Sequence, residues 1–89
     1  MTASASGTGV RHDDVLARLA AIVHRVTGRP AADVQPDRAF VDDLLVDSLA
    51  MVEILEGATR EFGVRISDEA AKDFVRVRDL VDHLTALLG

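Results

Sequence analysis

Three stretches of this chain repeat their apolar residues at a helical interval, and no stretch alternates convincingly as a strand. In Asp13–Thr27 the residues Val15, Leu16, Leu19, Ile22, Val23 and Val26 form a single stripe at ~100° per residue, closed by Gly28 and then Pro30. Ser48–Phe62 carries a second stripe of Met51, Ile54, Leu55, Ala58 and Phe62. Asp47 is placed to cap its orphan N–H groups and Gly63 to end it. Arg76–Leu88 carries a third stripe through Val77, Leu80, Val81, Leu84, Leu87 and Leu88. Between the last two, Ser67–Phe74 opens like a short helix, with Ser67 as N-cap and two acids in the first turn. The expected fold is all-α: a small four-helix bundle with three longer helices, one short one and a long loop between the first and second.

Size limits what such a bundle can be. A chain of 89 residues buries roughly 63% of its unfolded surface, enough for one modest core and too little for a large enzyme fold. The absence of Cys removes disulfides, thiol nucleophiles and thiolate metal sites, so a cytoplasmic protein is expected. Met1–Gly9 has neither a basic n-region nor an apolar h-region and reads as a flexible tail. No apolar run approaches the ~20 residues of a membrane span.

Charge narrows the partners. There are 15 acidic and 10 basic residues, a formal net charge of −5, and the surplus is of the wrong sign to displace counterions from a nucleic-acid backbone. The negative field is concentrated in residues 37–73, which hold ten acids and four bases.

The connection from Gly28 to Val46 is longer than an ordinary helix–helix turn. Val34, Phe40, Val41, Leu44 and Leu45 make it too apolar for disorder. It is expected to pack across one end of the bundle and deliver Asp47 and Ser48 to a fixed place at the start of the second helix.

That second helix carries an anomaly. With Met51 at 0°, Leu49 falls near 160° and Val52 near 100°, about opposite the core stripe and beside Glu53, Glu56 and Arg60. A scattered surface hydrophobe is the plain reading. An apolar anchor with a charged rim is the functional one.

Ser48 also has two readings. Ser at a helix start is commonly only a cap. Its hydroxyl also sits at the positive end of a helix dipole, where a covalently attached phosphate is favoured. Self-activated catalysis is not expected, because Val46-Asp-Ser-Leu-Ala50 is not a nucleophile elbow and none of His12, His24 and His83 is marked as its base. A calcium loop starting at Asp33 fails too, with Arg38 where Gly is required and Leu44 where the bidentate Glu belongs.

Several motifs together resemble a known family. Asp42-Asp-Leu-Leu-Val-Asp-Ser-Leu-Ala-Met-Val-Glu53 is followed by Glu61-Phe-Gly-Val-Arg-Ile-Ser-Asp-Glu69 and Val77-Arg-Asp-Leu-Val81. The combination looks like an acyl carrier protein over about residues 13–88, most closely the discrete carriers of actinobacterial fatty acid and polyketide systems. The resemblance implies a carrier domain over 10–89 that is not an enzyme. It implies that Ser48, beside Asp47, is the attachment point for 4′-phosphopantetheine, transferred from coenzyme A by a separate phosphopantetheinyl transferase. The arm's thiol would hold acyl groups as thioesters and present them to a ketosynthase, an acyltransferase and other acyl-processing enzymes, with the chain itself a monomer.

The resemblance also assigns Leu49, Val52, Glu53 and Glu56 to the partner surface. It implies that Met51, Ile54, Leu55, Ala58, Ile66, Ala71 and Phe74 line a shelter for the acyl chain, although periodicity alone makes the same residues plain core. Departures from the family pattern include Leu45, where Gly is common two residues before the Asp; Thr59 and Arg60 in a stretch that is often acidic; Ser67 where Pro is common; and Gly57 inside a helix. The rival readings are a helical interaction module without a covalent group and a peptidyl carrier.

Overall fold

The computed structural model describes residues 11–89, and the expected tail at Met1–Gly9 lies outside the described residues. Helix α1 spans His12–Thr27, α2 Ser48–Phe62, α3 Asp68–Ala71 and α4 Val77–Leu88. Both α2 and α4 pack against α1.

Helix α1 opens with Asp13 and Asp14 at its positive end and stops at Gly28, whose φ of 80° lets its N–H reach the carbonyl of His24 at 2.8 Å. Its stripe supplies Val15, Leu19, Ile22 and Val23 to the core, joined by Ala20, while Leu16 and Val26 lie at the edge. Gly57 of α2 is explained by this contact. A Cβ built there would stand 2.9 Å from Cγ2 of Ile22, so the missing side chain is what lets the two helices approach. At the far end of α2, Arg18 donates to Glu61 at 2.8 Å, and its guanidinium carbon lies 5.1 Å from the centroid of the Phe62 ring.

Helix α3 is shorter than the expected Ser67–Phe74. Ser67 does cap it, accepting from the N–H of Ala70 at 3.1 Å, but the helix ends after one turn. Phe74 is drawn into the core, so the chain leaves the helix axis through tight backbone bonds from Asp73 to Ala70 and from Val75 to Asp73. A single turn has too few hydrogen bonds of its own to resist that pull. In α4, Val77, Leu80, Val81 and Leu84 are buried and Leu88 packs at the core edge, but Leu87 is exposed, because its helical angle places it on the flank of that stripe.

The long loop contains a 3₁₀ turn at Ala31–Asp33 and is laced to the segment preceding α4. Phe40 donates to the carbonyl of Val75 at 3.0 Å, while Val77 and Arg78 donate to the carbonyls of Arg38 and Pro36, each at 2.9 Å. Ala39 and Arg76 form an isolated antiparallel bridge; the described residues contain no strand. Val34, Phe40, Leu44 and Val46 are buried as expected of a packed loop. Val41 and Leu45 are not: both side chains stand in solvent.

Candidate functional site

The start of α2 is presented by a closed backbone loop. The carbonyl of Ala39 accepts from the N–H groups of Asp43 and Leu44, each at 3.0 Å, and the N–H of Ala39 donates to the Asp43 carboxylate at 2.7 Å. Val46 donates to the carbonyl of Phe40 at 2.8 Å. With Phe40, Leu44 and Val46 buried, the segment is pinned on both sides of Leu45. Closing it requires φ of +57° at Leu45, a left-handed backbone that costs a non-glycine residue about 1–2 kcal/mol. Leu45 is visible in the sequence as a departure from the family pattern, whereas its left-handed conformation arises from pairing across the loop.

Asp47 is the N-cap of α2, its carboxylate accepting from the N–H of Ala50 at 2.8 Å. Ser48 is therefore the first helical residue and not the cap. It is exposed, and among the described residues no hydrogen bond engages its hydroxyl. The hydroxyl stands beside unpaired N–H groups at the positive end of a 15-residue helix, an arrangement suited to a phosphoester.

Further along α2, Leu49 is 71% exposed and Val52 51% exposed, with Glu53, Glu56 and Arg60 also exposed. Among the described residues neither glutamate is held in an ion pair, so their charges face solvent. The seven residues associated with an acyl shelter converge on one cluster. Ile54, Ala58 and Phe74 are buried in it, while Met51, Leu55, Ile66 and Ala71 are half-buried at its edge. The Phe74 ring lies 5.2 Å from that of His83. The other histidines have local partners: His12 meets Asp82 at 3.0 Å, and Nδ1 of His24 lies 2.7 Å from the carbonyl of Arg29.

Comparison with known proteins agrees with this geometry. A family model described as a phosphopantetheine attachment site matches residues 17–84. The acyl carrier protein of Acidothermus cellulolyticus is 47% identical over 72 residues, 81% of this chain and 86% of that protein. That of Thermobifida fusca is 45% identical over 71 residues, 80% of this chain and 90% of the relative. The meromycolate extension acyl carrier protein of Mycobacterium leprae is 37% identical over 78 residues, 88% of this chain and 68% of its own. Among solved structures, the acyl carrier protein of Enterococcus faecalis superposes with a TM-score of 0.72 at 29% identity, covering 88% of this chain and 99% of that one. The chain belongs to the acyl carrier protein family, whose phosphopantetheine-bearing members carry acyl groups and are not themselves catalysts.

Proposed function

We propose that Ser48 is the residue that bears the arm, within a carrier domain spanning residues 10–89. The observation that carries this reading is the division of labour at the start of α2: Asp47 does the capping, which leaves the Ser48 hydroxyl exposed and, among the described residues, uncommitted. Loading joins Ser48 Oγ to the phosphorus of the phosphopantetheine half of coenzyme A. The P–O bond to the adenosine bisphosphate half breaks, and the hydroxyl proton passes to a base on the transferase. Once bound, the group supplies a thiol on which acyl chains are held as thioesters.

The chain's own residues position and present that group. The buried side chains of Leu44 and Val46 hold the serine's approach segment rigid, and the N-terminal dipole of α2 favours the phosphate charge. Leu49 and Val52 offer an apolar contact beside the exposed carboxylates of Glu53 and Glu56. This combination suits enzymes with a basic rim, and such pairing speeds and orients encounter more than it tightens binding. The partners in this reading are a phosphopantetheinyl transferase, a ketosynthase, an acyltransferase and other acyl-processing enzymes of fatty acid or polyketide synthesis, visited by a monomer in the cytoplasm. No helix among the described residues is long and apolar enough to cross a membrane.

Met51, Leu55, Ile66 and Ala71 form the half-buried margin through which an acyl chain would reach Ile54, Ala58 and Phe74. Each CH₂ sheltered there is worth ~0.8 kcal/mol against the disturbance of packed side chains, so longer chains gain more from entering.

The test is intact-protein mass spectrometry after incubation with coenzyme A and a broad-specificity transferase. The expected result is one phosphopantetheine increment on the wild type and none on a folded Ser48→Ala variant. An unmodified wild type, alongside a control carrier that loads, overturns the assignment, as does an increment on Ser48→Ala.

A further inference from the structure

Leu45 combines two costs that folding does not recover. Its φ of +57° is a conformation that glycine adopts freely and leucine does not, and its side chain is 70% exposed, so burial returns little. Its neighbours Leu44 and Val46 are both buried, which fixes Leu45 as an apolar group held out between two anchors. It stands three residues before Ser48, as Leu49 stands one residue after, and both are exposed. The surrounding carboxylates of Asp42 and Asp47 are exposed as well. Strain kept at an exposed position beside a reacting group points to a use for the side chain itself.

We propose that Leu45 is a recognition residue for the phosphopantetheinyl transferase, inserting into an apolar recess bordered by basic side chains. The inference rests on the assignment of Ser48 as the attachment point. An enzyme that joins a group to Ser48 Oγ must cover the chain immediately around that atom, and of the exposed apolar residues on the approach side, Val41 and Leu45, it is Leu45 that stands nearer in sequence. Enzymes that work at the far end of the arm are under no such constraint. The exposed acids on either side account for the basic border.

The test compares kcat/KM for arm loading from coenzyme A in the wild type, Leu45→Asn, Leu45→Gly and Leu45→Met. Asn tolerates the left-handed backbone and Gly relieves it, so both preserve the fold while removing the apolar contact. Both are expected to lose about tenfold or more in kcat/KM, chiefly through KM, the scale of one buried aliphatic side chain. Met, which retains an apolar side chain, is expected to recover most of the loss. Thermal unfolding is measured in parallel, and Leu45→Gly is expected to melt no lower than the wild type, which separates recognition from folding. A wild type that loads while Asn and Gly variants load equally well overturns the role of Leu45 and leaves Ser48 in place. A wild type that does not load overturns both.

Discussion

A Cβ added to Gly57 would lie 2.9 Å from Cγ2 of Ile22, inside the distance at which real side chains meet. Two effects of a Gly57→Ala substitution therefore oppose each other. Alanine in a helix interior gains about 1 kcal/mol in propensity over glycine. Overpacking a filled core costs about 1–3 kcal/mol, and Ile22 is buried with nowhere to retreat. The expected balance is a net loss of about 1 kcal/mol, read as a lower urea midpoint at unchanged slope. A raised midpoint would show that α1 and α2 separate easily.

The adjacent acids Asp42 and Asp43 are expected to respond differently to removal. Asp43 accepts the part-buried N–H of Ala39 at 2.7 Å, so Asp43→Ala leaves that donor without its partner and costs about 1–3 kcal/mol. Asp42 is exposed, and Asp42→Ala is expected to stay within about 0.5 kcal/mol of the wild type. Paired urea titrations check the contrast, and equal effects at the two positions would contradict it.

Asp47 joins a structural role to an electrostatic one. Asp47→Ala removes the cap on Ala50 and is expected to cost about 1 kcal/mol. Asp47→Asn keeps a side-chain oxygen for the cap and loses the charge, so stability is expected to hold while partner-enzyme rates fall. Thermal melting and arm-loading kinetics on the two variants separate the roles; a stability loss as large for Asn as for Ala would mean that the charge, not the cap bond, supports the helix.

These residues also show where sequence reasoning reaches and where it stops. The bounds of α2, its Asp47 cap and its Gly63 terminator were legible because each depends on neighbours within a few positions. The length of α3 was not, since Phe74 leaves the helix to reach a core assembled by distant residues. The separation of Asp43 from Asp42 and the left-handed backbone at Leu45 depend on a loop closed through Ala39 and Phe40 and laced to Val75, and periodicity carries no sign of that closure. Exposure of Leu49 and Val52 was legible, because helical angle alone places them opposite the core.

Glu53 and Glu56 provide the test of docking by charge. Both are exposed and neither is held in an ion pair among the described residues, so reversing either is expected to change stability by no more than about 0.5 kcal/mol. Glu53→Lys and Glu56→Lys place a cation where a partner's basic rim approaches, which converts attraction into repulsion. Arm loading and acyl transfer are expected to slow severalfold or more at low salt. The Debye length shrinks from about 10 Å at 0.1 M to about 3 Å at 1 M, so the gap between variant and wild type is expected to close as salt rises. Arg60, one turn beyond Glu56 and also exposed, already interrupts the acidic stripe, so Arg60→Glu is expected to act in the opposite direction and raise low-salt rates with the same partners. Rates that are indifferent to these reversals, or a deficit that persists unchanged at high salt, would place recognition in the apolar contacts of Leu49 and Val52 alone.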